Sequence, residues 1–267
     1  MIHTNNYNRI DTERFHYALS VYGEQKSSKS SEDTGKSISI GTLGEKSLHA
    51  VLKLYYEPDI TRHEQQIGAH IADIVNEDGI IEIQTRNLSA LRPKLNAFLN
   101  ICRVTVVHPV IASKRIISIN GDTGEVISVR KSPKHGTIYS EIRELYTLRE
   151  FLTRENIALR FPLLAADEYR TFGVRTKRRK KQRTKSGEYI SDTLPTNIID
   201  EIRLDKPSDY AIFLPEGLPA KFTTHQFAAA AETDEQSARM TINLLIRTGQ
   251  LDQNAHLKNR RSTGEKK

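Results

Sequence analysis

The chain of 267 residues is long enough for one large domain or two to three small ones, and 37% of its residues are hydrophobic. This composition excludes a wholly disordered, collagen-like or coiled-coil protein. The single cysteine, Cys102, excludes an intramolecular disulfide and a zinc site built from several cysteines. No apolar run approaches the roughly 18 residues that span a bilayer, and the polar N-terminus lacks the apolar stretch of a signal peptide. We therefore expect a cytoplasmic protein without a membrane partner.

The first 36 residues are expected to be disordered, because the stretch from Ser20 to Ser39 is rich in serine, lysine, glycine and acids and almost devoid of apolar residues. Order is expected to begin near Ile38. The spacing of the next apolar residues predicts an amphipathic helix over 42–56, which Pro58 ends: Leu43, Leu48, Val51, Leu52 and Tyr55.

A β-hairpin is predicted after this helix. The residues from Gln65 alternate between apolar and polar or small side chains, which is typical of a strand that ends at Asp73. A turn at 76–79 separates it from a second strand at 80–84. A helix over 88–98 follows, with Pro93 tolerated best in its first turn, and then a short buried strand at 104–107.

The middle of the chain predicts further paired strands. Residues 115–119 and 126–130 flank a turn at 120–124 and indicate a second hairpin. A helix is predicted over 139–152, and further strands are predicted within 157–172 and 197–204, on either side of the most basic part of the chain.

Positive charge is concentrated in that basic part. The formal net charge is +7, and nine basic residues with no acidic residue lie between Arg170 and Lys185. Such a segment attracts a polyanion and releases its counterions, and nucleic acid is the usual cytoplasmic polyanion. We therefore expect a basic loop at 170–186 to bind nucleic acid, and the alternative is a solvated loop without a partner. Its densest run is Lys177, Arg178, Arg179, Lys180 and Lys181.

Two Thr-x-x-Gln motifs near the C-terminus have the spacing of capping boxes, in which threonine and glutamine side chains satisfy free backbone donors at a helix start. They begin at Thr223 and Thr233 and predict a short helix over 226–231 and a longer one over 235–248. Gly249 ends the second helix, and a β-wing is expected to start at Gln250.

Acidic residues around the first hairpin are candidates for chemistry. Glu45 lies on the helix, Asp73 ends the first strand, and Glu82 and Gln84 share one face of the second strand because they are two residues apart. A short turn brings Asp73 close to Glu82. Two carboxylates at low dielectric repel each other, and a divalent cation with oxygen ligands relieves this repulsion and can activate water against a phosphodiester.

This arrangement resembles the PD-(D/E)XK nuclease superfamily, whose restriction-endonuclease-like fold includes the archaeal Holliday junction resolvases. The order helix, strand, strand, helix, strand from about 42 to 107 is similar to its αββαβ core and covers about a quarter of the chain. The resemblance implies that Glu45, Asp73 and Glu82 bind Mg²⁺ or Mn²⁺ and that these three residues and Gln84 are catalytic. Gln84 stands where this superfamily usually has lysine, and it supplies neither a positive charge nor a proton.

The C-terminal residues 216–260 resemble a winged helix-turn-helix, whose second helix enters the DNA major groove. Gln236, Arg239 and Asn243 are the outward polar residues of that predicted helix, and their types contact bases or phosphates. Such units also serve as protein-interaction modules. Arg86, Arg92 and Lys94, after the predicted acidic site, are candidates for phosphate contacts, with an ordinary exposed helix surface as the alternative.

Together these features predict an α/β (α+β) protein with a disordered segment at 1–36, a nuclease-like domain at 37–215, a winged helix at 216–260 and a basic tail at 261–267. The expected function is a metal-dependent DNA endonuclease or DNA-processing protein. Because of Gln84, the alternative is a non-enzymatic DNA-binding regulator with an inactive core, and an RNA-binding or interaction protein is a third reading. A homodimer is compatible with cutting two strands. The whole chain is also similar to a bacterial protein family of unassigned function.

Overall fold

The computed structural model describes residues 10–32, 47–172 and 188–257. The predictions for Glu45, for most of the basic loop at 170–186 and for the tail at 261–267 lie outside these residues. The α-helices of the described part are α1 (Thr12–Glu32), α2 (Ser47–Tyr56), α3 (Arg92–Phe98), α4 (Ile142–Tyr146), α5 (Thr224–Ala230) and α6 (Glu235–Arg247). Its strands are β1 (His63–Ile67), β2 (His70–Asn76), β3 (Gly79–Ile83), β4 (Val104–Val107), β5 (Val110–Asn120), β6 (Val126–Lys131), β7 (Ile157–Phe172), β8 (Tyr189–Leu204), β9 (Phe222–Thr223) and β10 (His256–Leu257).

The first eight strands form one mixed sheet. Its order is β1-β2-β3-β4-β7-β5-β6, and β8 pairs with β7. The central strands β3, β4, β7 and β5 pair in parallel, whereas β1, β2, β6 and β8 pair antiparallel with their neighbours. The start of β7 pairs with β4 and its remainder pairs with β5. The mixed sheet and its helices confirm the predicted α/β class.

Helices cover both faces of this sheet. On one face, α1 and α2 pack against a cluster that includes Ile81 and Ile83 of β3. On the other face, α3, α4, α5 and α6 contribute to a cluster that includes Ile80 and Val106. Because successive side chains of a strand point to opposite faces, Glu82 faces the layer that contains α3.

The N-terminal segment contradicts the predicted disorder at 1–36, because residues 12–32 form α1. Its few apolar residues recur on one side of the helix, and Phe15, Ala18 and Tyr22 are buried in the cluster that also contains α2. Phe15 packs against Tyr55 edge to face, with ring centroids 5.5 Å apart. The average composition of the segment is polar, but these three buried side chains and the hydrogen bond from Arg14 to the Tyr56 carbonyl hold it against α2.

The first predicted strand divides into β1 and β2. Ile67 pairs with His70, so Gly68 and the following residue form a tight turn. Gly68 has φ of 58°, a left-handed conformation that glycine adopts without steric cost. Asp73 therefore lies inside β2 rather than at a strand end, which corrects the predicted position. The hairpin of β2 and β3 forms as predicted.

The predicted helix at 139–152 is α-helical only in α4, with a 3-10 turn before it. Leu148 and Phe151 are nevertheless buried, because the turns after α4 bring the same apolar side chains into the core. The predicted helix at 88–98 likewise begins as a 3-10 turn and continues as α3, with Pro93 in its first turn. The second predicted hairpin is confirmed by β5 and β6, and β7 has its predicted bounds.

The C-terminal motifs predict α5 and α6, and both helices are present. Thr223 and Gln226 form the predicted capping box of α5. The predicted cap of α6 is wrong by one residue, because the Asp234 carboxylate accepts the Ser237 N–H at 3.0 Å. Instead of a wing that starts at Gln250, β10 pairs in parallel with β9.

The C-terminal helices share the core of the sheet domain. Phe227 of α5 and Ile242 and Leu245 of α6 belong to the same buried cluster as Leu148 and Phe213. This continuous core ties α5 and α6 to the face of the sheet that carries α3 and α4. None of the described helices has the length and apolar character needed to cross a membrane.

Candidate active site

The candidate site lies where β2 and β3 stop pairing regularly. The last regular pair is Ile74 opposite Ile81. Beyond it, the Asp73 carboxylate Oδ2 accepts the Ile83 N–H at 2.8 Å, and the Glu82 carboxylate Oε1 accepts the Asp73 N–H at 3.3 Å. The side chains thus replace backbone pairing at this point, and the hairpin brings Asp73 and Glu82 into contact through the Asp73 N–H.

Each carboxylate also contacts a basic side chain from a different helix. His49 of α2 places Nε2 3.3 Å from Oδ2 of Asp73. Lys94 of α3 donates from Nζ to Oε2 of Glu82 at 2.8 Å. The Glu82 side chain is only 1% exposed and that of Lys94 is 27% exposed, so Lys94 lies on the solvent side of this ion pair.

The two carboxyl groups differ in their affinity for a proton. Burial, followed by the charge of Asp73, raises the pKa of Glu82 to about 7. Burial also raises the pKa of Asp73, but the hydrogen bond with His49 and further interactions outweigh it, so the pKa of Asp73 lies below its ordinary value. At neutral pH the pair therefore combines an ionised Asp73 with a Glu82 that exchanges its proton.

This raised pKa makes a prediction for Glu82→Gln in the presence of EDTA. Folding disfavours the charged form of Glu82, so its contribution to stability is largest at low pH and is lost as pH rises from about 4.5 to about 7. Glutamine does not titrate. The free energy of unfolding of the variant relative to wild type should therefore rise by about 2 kcal/mol from pH 5 to pH 8, as measured by urea denaturation.

The control for this experiment is Glu77→Gln, in the exposed turn of the same hairpin. Arg62 lowers the pKa of Glu77 to about 2. The Glu77 variant should therefore show no gain relative to wild type over this pH range. A stability difference for Glu82→Gln that stays constant from pH 5 to pH 8 would contradict the assignment.

Gln84 makes contacts different from those that its position in the motif predicts. Its side-chain nitrogen donates to the backbone carbonyl of Arg86 and, at 3.3 Å, to that of Asn87. The amide group thus holds the loop after β3. The positive charge beside Glu82 comes from Lys94, twelve residues later in the chain. The sequence predicts Lys94 as a candidate for a phosphate contact, but it does not predict the contact with Glu82.

Asp73 and Glu82 supply carboxylate oxygens, the ligand type that Mg²⁺ and Mn²⁺ take in proteins. Glu45, the third predicted ligand, lies outside the described residues, shortly before α2. Within the described part of the chain, no group of three or more His, Cys, Asp or Glu side chains is arranged to hold a metal ion. Among the described residues, Asp73 and Glu82 are therefore two oxygen ligands of the suitable type and not a complete metal site.

The predicted nucleic-acid contacts have different surroundings. Arg86 is exposed after β3, whereas Arg92 is paired with Glu150 at 2.6 Å. Along α6 the predicted outward residues are all exposed: Gln236, Arg239 and Asn243. The basic run lies outside the described residues: Lys177, Arg178, Arg179, Lys180 and Lys181.

The fold and the site define a mixed α/β protein with a partly buried carboxylate pair at the point where β2 and β3 stop pairing. Residues 46–205 match the family described as Domain of unknown function (DUF8091), and the chain belongs to this family. The chain is 37% identical over 123 residues to an uncharacterized protein of Treponema pallidum (strain Nichols), a match that covers 46% of this chain and 49% of that relative. The chain thus spans about half the length of the relative it matches. No solved structure matches the chain.

Proposed function

We propose that this protein is a divalent-metal-dependent deoxyribonuclease of the PD-(D/E)XK type. The observation that carries the proposal is the contact between Asp73 and Glu82 on adjacent strands, with the ammonium group of Lys94 on Glu82. A divalent ion compensates the charge of two neighbouring, largely buried carboxylates well, beside the contacts that His49 and Lys94 already make. The order of α2, β2, β3, α3 and β4 supports the same superfamily.

Asp73, Glu82 and Glu45 are the residues that would hold Mg²⁺ or Mn²⁺ in this proposal. When bound, such an ion polarises a phosphodiester and lowers the pKa of water. The chain's own groups prepare this site. The Ile83 N–H and His49 keep Asp73 ionised and oriented, and Glu82 is able to take up or release a proton near neutral pH.

Lys94 is proposed to supply the positive charge that a lysine at the position of residue 84 usually supplies in the PD-(D/E)XK motif. Its ammonium group reaches Glu82 from α3 while remaining partly exposed, so it is able to approach a phosphate oxygen. Preorganised charge of this kind stabilises the negative charge that develops on a phosphate during cleavage. Gln84 is proposed to position the loop that follows β3, because its amide nitrogen contacts that loop.

DNA is the proposed partner of the whole protein. The exposed side of α6 and the basic residues between β7 and β8 supply polar and positively charged groups for a duplex, with the C-terminal unit acting as a winged helix. The alternative is a DNA-binding regulator without catalysis. Gln84 favours that alternative, because it stands where the superfamily usually has lysine and its amide donates to backbone carbonyls.

A cleavage assay with three proteins tests the proposal. Wild type, Lys94→Met and Gln84→Ala are incubated with labelled duplex, single-stranded and four-way-junction DNA in Mg²⁺, Mn²⁺ or EDTA. We expect wild-type product only with a metal ion, a rate about 10²-fold lower for Lys94→Met, and a rate within about threefold of wild type for Gln84→Ala.

The two variants show whether Lys94 or Gln84 acts on the phosphate. A loss in Gln84→Ala without a loss in Lys94→Met would assign the role to Gln84 and contradict our placement of Lys94. Wild-type DNA binding without metal-dependent product on any substrate would contradict the nuclease proposal and favour the DNA-binding regulator. Equal product in EDTA would contradict the metal requirement.

A further inference from the structure

A shallow basic pocket lies far from the carboxylates, where β5, β6 and β7 run side by side. Its volume is about 360 Å³. Arg115 of β5 lies opposite Lys131 of β6 on one side and Asp167 of β7 on the other. The residues that matter for its chemistry are Ser113, Arg115, Arg130, Lys131, Ala165 and Asp167.

The pocket carries an excess of positive charge. Arg115 binds Asp167 through two nitrogens, Nε at 2.8 Å and Nη2 at 2.6 Å, so these two charges offset each other. Lys131 lies opposite Arg115 and projects from the pocket side of β6, whereas Arg130 lies opposite Ile116 and projects from the other side of this edge strand. Both are exposed, and neither forms an ion pair with any described residue. A guanidinium has five N–H donors, so Arg115 keeps donors for a second oxygen beside those that bind Asp167.

The shape of the pocket suits a compact anion. Ser113 and Ala165 have small side chains and pair across β5 and β7, so they form a depression next to the long basic side chains. The phosphate groups of a nucleic-acid backbone fit a shallow pocket that is bordered by flexible, positively charged side chains. An apolar ligand would gain little from it, because the surrounding side chains are charged.

The pocket lies well beyond Glu82 along the direction of β7. Glu82 of β3 pairs with Val106 of β4, which in turn pairs with Leu159 of β7. Asp167 lies eight residues after Leu159 in β7. Eight residues of strand span about 26 Å. A DNA duplex that covers this distance has about eight base pairs.

We propose that this basic pocket binds the phosphodiester backbone of DNA about eight base pairs from the carboxylate pair. The inference rests on the proposed function, because it takes DNA as the substrate. It adds a contact surface on β5 and β6, separate from α6 and from the basic residues between β7 and β8. Arg130 and Lys131 provide the charge that the DNA neutralises, and Arg115 provides directed hydrogen bonds.

The test measures binding separately from cleavage. The anisotropy of a fluorescent 30-base-pair duplex is titrated in EDTA at several salt concentrations with wild type and Arg130→Ala/Lys131→Ala. The matched control is Arg154→Ala/Lys206→Ala, which removes two exposed positive charges outside both the pocket and the C-terminal unit. We expect the pocket variant to bind at least tenfold more weakly, with a salt dependence reduced by about one to two phosphate contacts, and the control to bind within twofold of wild type.

The outcomes separate this inference from the proposed nuclease. Wild-type affinity in the pocket variant, or an equal loss in both double variants, would overturn the pocket assignment even if metal-dependent cleavage is observed. Weaker binding by the pocket variant alone supports the pocket even if no cleavage product forms. Absence of DNA binding by wild type would overturn the pocket assignment as well. Both substitutions in the pocket are on the exposed strand β6, where truncation to alanine has little effect on folding.

Discussion

Asp73→Asn is expected to reduce metal-dependent DNA cleavage at least 10³-fold without weakening DNA binding. The asparagine side chain has nearly the same size, and its oxygen is still able to accept the Ile83 N–H. It lacks the negative charge that a divalent ion requires, and loss of one ligand from such a site costs several kcal/mol of transition-state stabilisation. The measurement is the single-turnover cleavage rate in Mg²⁺, together with duplex affinity in EDTA.

Asp78→Asn is the matched control for this prediction. Asp78 lies in the exposed turn of the same hairpin, five residues after Asp73, and the chemical change is identical. Its cleavage rate should remain within about twofold of wild type. A similar rate for both variants, or wild-type cleavage by Asp73→Asn, would show that the carboxylate pair is not the catalytic centre.

Phe15→Ala is expected to lower the free energy of unfolding by about 3 kcal/mol, the effect of removing a fully buried aromatic ring. Phe15 is 0% exposed and packs edge to face against Tyr55, so its truncation leaves a cavity between α1 and α2. The free energy of unfolding is measured by urea denaturation with circular dichroism.

Tyr17→Ala gives the comparison for Phe15, because Tyr17 is on the same helix and 57% exposed. Its effect should stay within about 0.5 kcal/mol. If Phe15→Ala is equally neutral, α1 does not dock on the sheet, and the composition-based expectation of disorder would hold for these residues.

The sequence predicts local features where a few residues determine the conformation. The turn of the first hairpin is one of them: Gly79 has φ of 116°, and a Cβ there would lie 2.3 Å from the backbone oxygen of Arg103. Once this turn is placed, the short connection brings Asp73 and Glu82 together. The capping box at Thr223 is equally local and equally predictable.

Features that depend on packing could not be predicted in this way. Lys94 reaches Glu82 only because α3 packs over β3, and no spacing rule connects residues 82 and 94. The polar composition of α1 conceals three apolar residues whose burial depends on α2. The pairing of β10 with β9 is likewise a long-range contact, so a wing expected from the residues after α6 does not form at Gln250.

The length of β7 has a consequence for cooperativity. This strand forms hydrogen bonds with β4 in its first part, with β5 in its second part and with β8 along almost its whole length. Neither half of the sheet has a complete set of backbone partners without it, and unpaired buried amides are costly. The half with the carboxylate pair and the half with the basic pocket should therefore unfold together as one unit. A fragment that ends before Ile157 would lack β7, the strand that pairs with β4.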